Sequence, residues 1–223
     1  MESKKVESSM AWIHRYLSSS ELIEIEAAIQ KAEEHTNGEI VPVIVRRSSA
    51  VGHVPLSLTL LITLFIVILE IPYSDWLWVK PWVWAWPFLI VAIYYGSTLL
   101  AQSKFIQKIF VPEKDEVDQV HRRAQLEFYL NRINRTKGGM GILIFVSVME
   151  KKAVILADEG IAKKLPSNTW DDILAEMRAH FHDGKWSHGY QKAIERCGEL
   201  LKQHFPISGN LENELTNHLI IKD

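Results

Sequence analysis

Five carboxylates crowd one part of the chain: Asp158, Glu159, Asp171, Asp172 and Asp183. Asp158 closes an apolar run, and Asp183 lies in a loop that carries two glycines, Gly184 and Gly189. α/β folds commonly place ligands beyond strand ends, and carboxylate oxygens hold hard cations such as Ca²⁺ or Mg²⁺. Asp158 and Asp183 are therefore the candidate metal ligands, with Ca²⁺ as the ion. Their spacing is not that of an EF-hand loop. A plainer reading competes: Asp158 is a turn residue, and Asp171 and Asp172 sit in the first turn of a helix, where the dipole favours negative charge.

His180, His182 and His188 surround Asp183. Imidazoles suit zinc or nickel, but a tetrahedral site wants four ligands and no fourth is evident, so they read as histidines at a helix boundary. Gly138-Gly139-Met140-Gly141 precedes a strand, whereas a phosphate-cradling loop follows a strand and opens a helix; it reads as a tight turn. Cys197, the single cysteine, falls on the apolar stripe of a helix with no base beside it in sequence, which makes it a core residue. No serine stands in a G-x-S-x-G elbow. The residues thus name no catalytic set and no organic cofactor.

The elements that must position these groups read as one α/β domain in two pieces. Ser18 and Glu21 form an S-x-x-E capping pattern. Leu22, Ile25, Ile29 and Ala32 then recur at helical spacing, and Asn37-Gly38 is expected to end that helix. Glu39–Val45 is a β-rich run whose Pro42 favours an edge or a bulge. One helix and one strand bury too little to stand alone. Their expected partner is residues 104–206: an amphipathic helix over Glu113–Arg135, an apolar strand Ile142–Val148, a short turn, and a strand Ala153–Ala157. So short a connection favours an antiparallel hairpin. Helices follow at about Trp170–Phe181 and Ser187–His204, the latter stopped by Pro206. Residues 207–223 read as a weakly patterned tail.

Between the two pieces the composition changes. No Asp, Glu, Lys or Arg occurs from Ser48 to Leu69 or from Pro81 to Ser103. About 20 helical residues cross a bilayer core, so residues 51–103 are expected to form a transmembrane hairpin with spans Pro55–Ile71 and Pro81–Ala101. Trp76, Trp78, Trp82, Trp84 and Trp86 gather at its tip, the headgroup level that tryptophan prefers. Arg46, Arg47, Lys104 and Lys108 flank the other end, so the positive-inside rule puts both soluble pieces in the cytoplasm, on the inner (cytoplasmic) membrane. The polar start, Met1–Met10, lacks the apolar core of a cleaved signal peptide. A net charge of −2 and a pI near 6.5 argue against nucleic-acid binding.

Thr36-Asn37-Gly38-Glu39-Ile40, Gly141–Ser147 with Asp158-Glu159-Gly160, and Phe181–Tyr190 together resemble the TPM domain family, over about Ser18–Pro206. The resemblance implies a sheet with helices on both sides. It also implies weak acid phosphatase activity and calcium binding, both attributed to some members, and here Asp158 and Asp183 match the family's acidic positions best. Many members carry a signal peptide and a C-terminal anchor. An anchor inserted after the first strand is similar instead to a bacterial subgroup of membrane proteins. The expected function is that of a membrane-anchored, noncatalytic module that binds or modulates a membrane-associated protein partner, with the lipid bilayer as its other partner. The alternative is a metal-assisted phosphatase built on Asp158 and Asp183.

Overall fold

A computed structural model describes residues 11–49, 54–70, 86–101, 103, 106, 113–136, 139–166, 168–207 and 215–223. In chain order the elements are a 3-10 turn Ala11–Arg15, α1 (Ser19–Glu33), β1 (Glu39–Val45), α2 (Val54–Glu70), α3 (Trp86–Leu100), α4 (Glu113–Leu130), a 3-10 turn Ile133–Arg135, β2 (Gly141–Ser147), β3 (Lys152–Ala157), the one-turn helix α5 (Glu159–Ala162), α6 (Thr169–His182), α7 (Trp186–His204) and β4 (Ile220–Lys222). They fall into two compact units, one from residues up to 48 and from 118 onward, the other from residues 49–117.

In the first unit the sheet order is β3-β2-β1-β4. β1 runs parallel to β2 from Glu39↔Gly141 to Val45↔Ser147, and parallel to β4 over Val43↔Ile220 to Val45↔Lys222. β2 and β3 form the antiparallel hairpin that their short link requires. Side chains alternate between two cores. Val41, Val43, Val45, Leu143 and Phe145 pack with Val120, Ala124 and Phe128 of α4 and with Ile133. On the other face Ile40, Ile44, Ile142 and Ile144 meet Ile25 and Ile29 of α1, Ile173 and Met177 of α6, and Tyr190, Ile194, Cys197 and Leu201 of α7. With both faces covered, every position of β1 and β2 is buried. That is why neither strand shows polar alternation in sequence.

Pro42 lies in a strand that is inner by sheet order, yet its own position is a local edge. Along β1 the N–H groups alternate: Glu39 donates toward β2, to the Met140 carbonyl at 3.0 Å, and Arg46 donates toward β4, to the Lys222 carbonyl at 3.0 Å. Even-numbered residues therefore face β4. Because β4 pairs only with Val43–Val45, position 42 faces the stretch that β4 leaves uncovered. The neighbouring even position, Ile40, donates to Glu33 Oε1 at 2.8 Å instead. β4 itself falls within the expected tail.

Ser18 caps α1 reciprocally: the Glu21 N–H meets its hydroxyl at 3.4 Å, and its own N–H meets Glu21 Oε2 at 2.7 Å. The helix ends at Glu33, ahead of Asn37-Gly38. Gly38 has another use. A Cβ there would sit 2.7 Å from Leu201 Cδ2, so the missing side chain admits α7 against the start of β1. Gly198 does the same for α1, where a Cβ would lie 2.7 Å from that of Ala32. Gly198→Val is expected to lower the unfolding free energy by about 2 kcal/mol through overpacking. Urea denaturation checks this; an unchanged midpoint would mean that α1 and α7 separate without cost.

In the second unit α2 and α3 pack against each other. α2 has 17 residues and α3 has 15, and at 1.5 Å per residue they reach about 26 and 23 Å, short of a ~30 Å hydrocarbon core. Among the described residues no helix is long and apolar enough to cross a membrane. In place of the expected transmembrane hairpin the structure gives two apolar helices of these lengths. Residues 71–85, which include the expected tip with Trp76, Trp78, Trp82 and Trp84, lie outside the described residues.

Candidate functional site

Asp158 follows β3, and because β3 is antiparallel it stands beside the starts of β1 and β2. Its N–H donates to the Gly141 carbonyl at 2.9 Å. It caps α5: Oδ1 accepts the Glu159 N–H at 2.7 Å, and its carbonyl accepts from Ile161 and Ala162. Oδ2 is buried without a hydrogen-bond partner among the described residues. On the same row, across Gly141, stands the buried Glu39. A Cβ on Gly141 would overlap Ile133, so an isoleucine fills the space over the central position of this row.

Asp183 is the C-cap of α6. Gly184, at φ +76, donates to the Phe181 carbonyl, and Lys185 donates to that of His180 at 2.9 Å. This is the paired bonding of a Schellman stop, which explains the Asp-Gly pair as helix termination. The Asp183 side chain is largely exposed, with His182 Nδ1 at 3.8 Å. His180 and His188 meet edge to face at 4.6 Å between ring centroids. Phe181, Trp186, Gly189 and Tyr190 serve packing. Phe181 stacks on Trp186 at 4.3 Å, and Gly189 leaves room for Phe181, whose Cε1 would lie 2.7 Å from a Cβ there. Tyr190 is fully buried, which pushes its phenol well above the usual range.

The structure does not bring Asp158 and Asp183 together. Asn37 donates to the Phe205 carbonyl, and Lys164, just past α5, donates to that of His204 at 3.1 Å. The starts of β1 and β2, with Asp158, therefore gather at the C-terminal end of α7. Asp183 precedes its N-terminal end. α7 has 19 residues, about 28 Å at 1.5 Å each, whereas shared calcium ligands lie 2.3–2.6 Å from one ion. One ion cannot take both carboxylates. Among the described residues no group of three or more His, Cys, Asp or Glu side chains is placed to hold a metal. Asp158 and Asp183 therefore do not together form the calcium site that the family resemblance implies.

Three other carboxylates are better placed than those singled out from sequence. Glu33 takes the Ile40 N–H at 2.8 Å. Burial pushes its carboxyl up to about 8, with the Glu39 charge adding to the rise and hydrogen bonds from Ile40 and Asn217 opposing it. Glu127, 1 % exposed, accepts from Arg123 Nε at 3.1 Å, from Asn131 Nδ2 at 3.2 Å and from Lys222 Nζ. At the other end of the strands Ser48 donates to Ser147 Oγ at 2.8 Å, and the Ser147 hydroxyl donates to Glu150. The Ser48 hydroxyl thus leans on that of Ser147, which in turn leans on the Glu150 carboxylate, an arrangement that ties the end of β2 to the end of β1. Cys197 is buried in the core, and burial raises its thiol to about 12.

Residues 106–200 match the TPM domain family. The TPM match spans α4 through most of α7, less than half of the chain, and is narrower than the resemblance over Ser18–Pro206. The fold is also similar to the NMR structure of BA42 protein from the psychrophilic bacterium Bizionia argentinensis, with a TM-score of 0.58 and 21% identity over 92% of this chain and 95% of that one. At that identity the likeness concerns the fold: a mixed four-stranded sheet flanked by helices. No curated protein sequence matches the chain.

Proposed function

We propose that this chain is a membrane-anchored TPM-like module that binds or modulates a membrane-associated protein, and that α2 and α3 belong to its anchor. One observation carries the reading. Leu56, Leu60, Leu61, Leu64, Phe65 and Ile68 of α2 and Phe88, Val91, Tyr95, Leu99 and Leu100 of α3 are all exposed, far more apolar surface than a water-facing helix pair carries. The uncharged runs Ser48–Leu69 and Pro81–Ser103 are longer than the described helices and reach spanning length. The flanking Arg46, Arg47, Lys104 and Lys108 orient the domain toward the cytoplasm. The noncatalytic half of the proposal rests on the chemistry of the sites: the Ser147 proton is committed to Glu150 and that of Ser48 to Ser147, the thiol is buried, and the two aspartates of the phosphatase alternative stand apart.

Alkaline carbonate extraction of membranes from expressing cells tests the anchor. The chain is expected to stay with the bilayer; its release into the supernatant would defeat the proposal. In intact cells an impermeant thiol reagent should label Ser74→Cys and spare Leu215→Cys.

A further inference from the structure

The outward side of α4 carries a stripe that the folded core does not use. Leu126, Tyr129 and Leu130 are 50%, 63% and 60% exposed. They lie three and four residues apart and so share one helix face. Val120, Ala124 and Phe128, which pack on the sheet, occupy the opposite face. Exposed arginines flank the stripe in sequence: Arg122 one turn before Leu126, and Arg132 and Arg135 in the residues that follow the helix. The only acidic residue among positions 119–135 is Glu127, and its charge is turned inward onto Arg123 and Lys222. Arg132 also adopts φ 57, a left-handed conformation that favours glycine or asparagine.

We infer that this stripe docks on an anionic bilayer surface, with Leu126, Tyr129 and Leu130 entering the headgroup boundary and Arg122, Arg132 and Arg135 meeting lipid phosphates. An interfacial helix has this composition: apolar and aromatic residues on one side, with cations beside them that snorkel to the phosphates. A second copy of the chain is a poorer occupant, because a two-fold contact would face arginines with arginines. Continuity favours the membrane over an acidic protein partner, since only 12 residues separate the end of α3 from the start of α4. The inference rests on the reading of α2 and α3 as an anchor and adds to it a lipid class and a second contact.

Spin labels in the full chain can separate the two ideas. Cys197 is buried, with its thiol raised to about 12, so a single introduced cysteine is the one that reacts. Labels would be placed at Leu126→Cys, at Leu64→Cys on α2 and at the exposed Glu199→Cys on α7. The chain would be reconstituted in phosphatidylcholine discs with and without one-third phosphatidylglycerol. Relaxation by oxygen is compared with relaxation by a water-soluble nickel chelate. The Leu126 label is expected to be oxygen-accessible and chelate-protected in the anionic discs only, and to become chelate-accessible when Arg122, Arg132 and Arg135 are all changed to glutamate. The Glu199 label stays chelate-accessible throughout. A Leu64 label protected in both discs beside a Leu126 label chelate-accessible in both would overturn this inference and leave the anchor standing. Chelate access at both the Leu126 and the Leu64 label would defeat both readings. Dipolar broadening of the Leu126 label would put a second copy on the stripe and also overturn the inference.

Discussion

Glu127→Ala will destabilise the chain by about 3 kcal/mol, the typical cost of breaking a buried ion pair. The carboxylate is 1 % exposed and joins α4 to β4 through Lys222, with Arg123 and Asn131 completing its bonds. Removing it leaves two cations partly sheltered and without their counter-charge, and the three-residue β4 loses its tie to α4. At roughly 2–4 °C per kcal/mol for a protein of this size, the melting temperature should fall by about 6–12 °C. Hydrogen exchange should show the loss first at Arg46, whose N–H bonds the Lys222 carbonyl. In a double-mutant cycle Lys222→Met and Glu127→Ala should be strongly non-additive. Additive costs would show that the pair contributes nothing.

Glu33 gives the chain an unusual pH dependence. Its folded carboxyl stands at about 8 against 4.5 for the free group. Below 4.5 both folded and unfolded forms hold the proton, so the group is neutral in its effect. Between 4.5 and 8 only the folded form holds it, so stability falls as pH rises, by of order 1 kcal/mol per unit. Above 8 both forms are ionised and the decline stops. From pH 6 to pH 8 the melting temperature should therefore drop by roughly 4–8 °C. Glu33→Gln keeps an acceptor for the Ile40 N–H and cannot ionise; it should flatten this decline and melt higher than the parent at pH 8.5. A parent chain whose melting temperature does not fall between pH 6 and 8 would rule the account out.

Some of this was readable from residues alone because it rests on local chemistry. Ser18 and Glu21 cap a helix whatever else the chain does. The link between β2 and β3 is too short for anything but an antiparallel return. The half-buried Glu33 and the buried Glu127 had a signal that went unused: Glu33 continues the Ile25–Ile29 stripe at a spacing of four, and Glu127 stands between Ala124 and Phe128, so each places a charge on a core-facing side. The separation of Asp158 from Asp183 was not legible. It depends on the direction of β3 and on α7 ending where β1 begins, and no local pattern encodes either. β4 was missed because three residues carry no period; they are a strand only because β1 offers unpaired groups beside Val43–Val45. Asp-Gly at 183–184 looked like a ligand loop because the residue that stops a helix and the residue that holds a cation are the same type.

β1 and β2 are neighbours in the sheet, yet Glu39 and its partner Gly141 are 102 positions apart, with α2, α3 and α4 between them. On a ribosome adding about 5–20 residues each second, β1 waits roughly 5–20 s for its partner to be made. For that interval Glu-Ile-Val-Pro-Val-Ile-Val is an unpaired apolar segment, and α2 and α3 emerge while it waits. Pro42 interrupts it at a place where the finished sheet needs no N–H, and a proline there also hinders pairing with foreign strands. The residue that the sheet accommodates at no cost thus also protects the nascent chain.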